Sequence, residues 1–140
     1  MTALVVALLC IPAIDHAVKV LFRRRLGART VSLGALGTLH PVPHRLWLTR
    51  AAGEASVLTM STLWVLAATP LVVLSVAMPS CGPYAGLLLG GSLSNGLESA
   101  VRGSVTDYVC LRFWPAFNLA DVALTAGAVG LVLRILEPLI

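Results

Sequence analysis

Apolar stretches of about twenty residues recur along this chain, and no other feature of it constrains the fold as strongly. The hydrocarbon core of a bilayer is about 30 Å thick, which about twenty helical residues cross. Four such stretches can be drawn: 2–22, 56–78, 84 to between 97 and 101, and 115 or 116 to about 134. Arg23, Arg24 and Arg25 end the first, and Pro70 is a kink that a membrane helix tolerates in the second. The third is the shortest and follows a tight turn at 78–83. Only 11% of the 140 residues are charged and 58% are hydrophobic, whereas a soluble domain carries about 25% charge. The reading is an all-α membrane protein with four transmembrane helices, forming a single integral-membrane domain over residues 1–140. The N-terminal run lacks the basic start and small-residue cleavage site of a signal peptide, so it reads as a retained first helix.

About 33 residues separate the first two stretches, and Gly27, Gly34, Gly37, Pro41 and Pro43 among them argue against a long helix. Segments 31–33 and 45–49 read as short strands, giving a small β-like cradle outside the membrane. Loops of this length are uncommon unless functional or disordered. Gly86 and Gly90 share a helical face and allow close helix approach. Cys10, Cys81 and Cys110 lack metal-like spacing, and Cys10 and Cys81, in or beside apolar helices, read as buried thiols instead of a disulfide frame.

With four spans, the loops after the first and third lie at one end of the bundle. All charged residues except Arg134 and Glu137 then gather at that end. The net charge of +4 does not point to nucleic acid, because no aromatic residues interleave with the basic ones as base stacking needs. The arginines contact lipid headgroups instead. Counting Arg and Lys in loops places this end in the cytoplasm.

Two sets of polar residues stand out. Asp15 and Lys19 lie four apart on one helical face inside an apolar segment, as an ion pair that anchors the helix or as a pair that meets substrate. Asp107 follows the third stretch, and Asp121 lies fourteen residues on, about one and a half turns into the fourth. A folded-back loop brings both carboxylates to the membrane boundary. Two close carboxylates do not both ionise easily, so one keeps a proton. The ionised partner can take a proton from water while the other polarises a carbonyl, which is acid–base chemistry for amide hydrolysis without metal or cofactor. Spacing alone is equally compatible with a proton relay or with helix pairing.

The run from Asn95 to Asp121 resembles signal peptidase II, the lipoprotein signal peptidase family. Ser94-Asn95, Val105-Thr106-Asp107-Tyr108 and Phe117-Asn118-Leu119-Ala120-Asp121 match the family's Gly-Asn, Val-Val-Asp-Phe-like and Phe-Asn-x-Ala-Asp segments. Asp15 through Lys19 resembles its Asp-Gln-x-x-Lys. The resemblance implies that Asp107 and Asp121 are the dyad of an aspartic peptidase. Asn95 and Asn118 would orient the dyad or the substrate, and Asp15 and Lys19 would support it. It implies a diacylglyceryl-modified prolipoprotein substrate, a location in the cell membrane among membrane lipids, and an active face outside the cytoplasm. A five-residue motif is more specific than a loop charge count, so this orientation is preferred. The chain departs from the family at 51–56, where an asparagine is missing, and at Glu98-Ser99, where an arginine is missing. Arg102, one turn beyond Glu98, is the residue placed to substitute for it. These two losses support an alternative, a non-catalytic relative that binds lipoprotein signal helices or another membrane protein. A third reading is a small proton-coupled transporter, which would want an unpaired acid in mid-span, whereas Asp15 has Lys19 beside it.

Overall fold

The computed structural model describes residues 1–27, 29–44 and 57–137. Its elements in chain order are helix α1 (Thr2–Arg25), strands β1 (Val31–Ser32) and β2 (Gly37–His44), helices α2 (Val57–Ala77) and α3 (Gly82–Arg102), strand β3 (Val105–Leu111) and helix α4 (Leu119–Leu136). Short 3-10 turns occupy Gly34–Leu36 and Pro79–Cys81. The protein is mostly helical with one small sheet.

Three helix ends have a chemical cause in the sequence. Arg23, Arg24 and Arg25 close α1, where cations complement the negative end of the helix dipole. Gly103, at φ 72°, ends α3 in a left-handed turn that a glycine adopts without strain. Asn118 caps α4: its side chain accepts from the Asp121 backbone N–H while the Asp121 carboxylate accepts from the Asn118 N–H. Helix α4 thus starts at Leu119, later than hydropathy predicts, and Asp121 sits in its first turn.

Helices α1, α2 and α4 are long and apolar enough to cross a membrane. Helix α3, the expected third span, is as long as α2 but more polar, and it is the axis of the bundle. It packs against α1 and α4 most extensively and against α2 less so. Small residues make this possible. A Cβ on Gly86 would lie 2.7 Å from the Leu4 carbonyl oxygen, and one on Gly91 would lie 2.6 Å from that of Ala120. Both distances are shorter than any real contact, so the backbones of α1 and α4 touch α3 directly.

Burial is inverted relative to a soluble protein. Leu9, Leu58, Leu66, Val73 and Leu133 are among many exposed large hydrophobics, whereas Asp15, Lys19, Ser94, Asn95, Glu98 and Asn118 are buried. An apolar exterior around a polar interior is the arrangement that lipid selects. Cys10, expected to be buried, is exposed on α1, while Cys81 is buried and Cys110 is intermediate.

Three strands form one antiparallel sheet in the order β1-β2-β3. Strands β1 and β2 follow α1, and β3 follows α3, so the two connections meet at one end of the bundle. The expected strand at 31–33 is β1, and that at 45–49 falls outside the described residues. Strands β2 and β3 were not anticipated. Val105, Thr106, Tyr108 and Val109 are strand-forming types, and their ladder partner lies about seventy residues away. Pro41 and Pro43 argue for irregular chain, yet β2 accommodates Pro41 at a register shift between Leu39 and Val42, and Pro43 in the part of β2 beyond its pairing with β1, which reaches only Thr38 and Leu39.

Gly91→Ala should destabilise the protein by about 1–3 kcal/mol by forcing α4 off α3. Gly96→Ala, on the same helix with open space around it, should be neutral or slightly stabilising. Thermal unfolding of both variants in detergent checks the contrast.

Candidate active site

At the end where sheet and bundle meet, a continuous polar network begins on α1. Lys19 Nζ lies 2.7 Å from Asp15 Oδ2, one helical turn away, and 3.1 Å from Glu98 Oε2 on α3. Its remaining contact is a 2.8 Å hydrogen bond donated to Asn95 Oδ1. Three donors therefore meet three acceptors, which is the condition for keeping an ammonium 1% exposed.

Asp15 reaches further. Its Oδ2 accepts from Ser94 Oγ at 2.6 Å and its Oδ1 accepts from the Ala120 backbone N–H at 3.1 Å. That amide belongs to the first turn of α4, whose N–H groups have no partner within the helix. The neighbouring amides are also satisfied by side chains: Leu119 donates to Tyr108 Oη at 2.9 Å and Asp121 donates to Asn118 Oδ1 at 3.0 Å. Residues from α1, β3 and the cap thus fix the start of α4. Tyr108 in turn stacks on Phe22 of α1, with ring centroids 4.5 Å apart. Burial pushes the Tyr108 phenol up to about 12, so it stays neutral.

Asn95 and Asn118 stand at the centre. Asn95 Nδ2 donates to Asp121 Oδ1 at 2.9 Å, while its Oδ1 accepts from Lys19 and, at 3.3 Å, from Asn118 Nδ2. Asn118 Nδ2 also donates to Asp107 Oδ1 at 2.7 Å, and the Asn118 backbone N–H donates to Asp121 Oδ2 at 3.0 Å. One residue therefore holds both aspartates. Asp107 is buried on β3, and Asp121 is half-buried in the first turn of α4. Burial raises the Asp107 carboxyl to about 6. The Asn118 hydrogen bond opposes that rise, the Asp121 charge adds to it, and His44 and Lys19 oppose it.

Of the residues singled out in the sequence, Asp15, Lys19, Asn95, Asp107, Asn118 and Asp121 come together here. Arg102 does not: it is exposed at the end of α3. Glu98 is held instead by Lys19, by an ion pair with Arg23 of α1, and by Thr106, whose Oγ1 and backbone N–H donate to its two oxygens at 2.7 and 3.1 Å. Arg23 also donates to Thr106 Oγ1 at 2.8 Å. Sequence reading treated Arg23 as one of three headgroup arginines. The signal that singles it out is its four-residue step from Asp15 and Lys19, which puts all three on one face of α1. Ser94 and Glu98 repeat that step on α3. Two carboxyl groups in different surroundings, bridged by one amide, can hold a proton between them and pass one to or from water. Among the described residues, no three His, Cys, Asp or Glu side chains gather as metal ligands.

The shift at Asp107 has a sign that stability measurements can read. The folded state prefers the protonated carboxyl, so its contribution is fully present below pH 4 and is lost as pH rises through about 6. Asp107→Asn removes this dependence. The stability of the variant relative to the parent should rise by about 1–2 kcal/mol between pH 4 and pH 7, allowing for solvent screening. Denaturation at stepped pH checks it.

The chain as a whole is similar to known proteins. The signal peptidase (SPase) II family profile matches residues 6–137. A lipoprotein signal peptidase of Methylorubrum extorquens (strain PA1) is 38% identical over 96 residues, which cover 66% of this chain and 51% of the relative. One from Xylella fastidiosa (strain 9a5c) is 45% identical over 53 residues, covering 35% of this chain and 31% of the relative. The chain thus spans about half or less of the length of these curated relatives. A solved structure described as a bacterial membrane enzyme superposes with a TM-score of 0.79 over 98% of this chain and 94% of its own, at 16% identity. At that identity the likeness is one of fold.

Proposed function

Because the chain belongs to the signal peptidase II family, we propose that it is an aspartic endopeptidase that removes the signal peptide from diacylglyceryl-modified prolipoproteins, with Asp107 and Asp121 as its dyad. The observation that carries this reading is the double grip of Asn118, which bonds Asp107 through its side chain and Asp121 through its backbone. One of these bonds is also the cap of α4, so the start of that helix and the placing of the two carboxyl groups are the same act, and the pair is set to divide between them the base and acid roles of hydrolysis. Water is activated by the ionised carboxylate, the protonated partner donates to the carbonyl oxygen, and the proton taken from water passes to the departing amine. Asp107, raised to about 6, is the member that more readily keeps the proton.

In this reading all four helices cross the bilayer. Helix α3 is too polar to face lipid but is surrounded by the three apolar helices, so its serines, Asn95 and Glu98 stay within the bundle. The end that carries the sheet faces outward from the cell, in keeping with the family motif and against the arginine count. The dyad then lies at the membrane boundary, where the lipid-modified cysteine of a substrate is held by its acyl chains. The absent family arginine is compensated by Arg23, which reaches Glu98 from α1. A non-catalytic binding role, which rests on that absence and on the missing asparagine at 51–56, keeps only the second of its two supports.

Asp→Asn keeps the shape and a hydrogen-bonding group but removes titration. Asp107→Asn and Asp121→Asn should each lower cleavage of a lipidated prolipoprotein by about 10²–10⁴ or more. The double variant should be little worse than either single one, since each removes a complete role from one unit. All three should fold and retain substrate binding. Near-normal cleavage by a well-folded single variant would end the dyad reading.

A further inference from the structure

Strand β2 runs antiparallel to β3 with Val42 opposite Asp107 and His44 opposite Val105. His44 and Asp107 are therefore diagonal neighbours on one face of the sheet. The His44 Nδ1 lies 3.6 Å from Asp107 Oδ2, within ion-pairing distance and beyond a hydrogen bond. The other carboxylate oxygen, Oδ1, is the one that Asn118 holds. The Asp107 side chain is 5% exposed and that of His44 is 61% exposed, so the imidazole stands on the solvent side of a buried carboxyl group.

We propose that His44 is a positioning residue for Asp107, a titratable clamp on the one carboxylate oxygen that Asn118 leaves free. The proposal rests on the dyad reading given above. Among the described residues, Asp121 from α4, Lys19 from α1 and His44 from β2 act on Asp107 as charges, while Tyr108 and Cys110 of its own strand face it as neutral groups whose ionisation it opposes. Lys19 is already committed to Asp15, Glu98 and Asn95. Asp121 carries the same charge as Asp107 and repels it. Among the described residues, that leaves His44 as the group that supplies attraction from the open side. Imidazole changes its charge between pH 5 and 8. Protonated, it favours the ionised Asp107 carboxylate and holds its plane between Asn118 and β2. Neutral, it releases Oδ2, and the carboxyl group keeps its proton to a higher pH. His44 touches Asp107 rather than the reacting bond, so it acts through the aspartate.

Two substitutions test the clamp. His44→Gln retains polarity without charge, and His44→Lys supplies a cation that does not titrate in this range. Each is compared with wild type by two readouts: the pH profile of kcat/KM on a lipidated prolipoprotein, and the Asp107-dependent step in stability against pH, which is defined by difference from the Asp107→Asn variant in the same background. His44→Gln should move both upward by about half to one pH unit, with KM little changed. His44→Lys should return both to the wild-type position or below it. A His44→Gln protein whose two curves superimpose on wild type overturns the proposal, as does a lysine variant that behaves like the glutamine one. If the wild-type protein cuts no substrate, the peptidase reading fails by itself while the stability step still tests the clamp.

Discussion

A lysine and an aspartate, almost wholly buried among apolar helices, set the condition that the rest of this structure meets. Removing one partner of such a pair leaves an uncompensated charge, at a cost of about 3–5 kcal/mol. Asp15 and Lys19 satisfy each other, but each retains hydrogen-bonding capacity that must also be filled. Asp15 fills it with Ser94 and with the first turn of α4, and Lys19 fills it with Asn95 and Glu98. Those partners lie on two other helices. Satisfying one ion pair therefore fixes the mutual position of α1, α3 and α4, and it turns Asn95 so that its amide nitrogen meets Asp121.

The same logic extends to the sheet. Glu98 is the second carboxylate that Lys19 touches, and it binds Thr106, the residue before Asp107. Asp107 and Asp121 are thus placed by two branches of one network, through Glu98 and Thr106 on one side and through Asn95 on the other. Asn118 joins the branches. Helix α2 takes little part. It packs mainly on α3, with Trp64 donating to Ser92 at 3.0 Å, and exposes much of its apolar surface.

How much of this was legible in the sequence follows from the range of each interaction. The apolar runs of α1, α2 and α4 were readable because a membrane helix satisfies its own backbone, so its signal is local. The gathering of Asp15, Lys19, Asn95, Asn118 and the two aspartates was readable only through a motif, since their contacts span up to about a hundred residues. Strand β3 is not legible because its seven residues gain their ladder bonds mostly from β2, with a bridge to Phe117 besides, and Pro41 and Pro43 obscure β2. Arg102 was chosen by helical spacing from Glu98. It leaves α3 toward solvent, while the partner Glu98 needs comes from Arg23 on a different helix, beyond the reach of any one-helix rule. The position of Asp121 turned on Asn118, whose cap sets the start of α4 where hydropathy alone extends the helix upstream.

In the proposed function this network holds two carboxyl groups for hydrolysis at the membrane boundary. Mass spectrometry of a diacylglyceryl-modified prolipoprotein after incubation with the purified wild-type chain in bilayers tests it most directly. Two products are expected, a free signal peptide and a mature protein that begins at the lipid-modified cysteine. A substrate that binds the chain and is recovered intact would contradict it and would make the protein a binding relative instead of a peptidase.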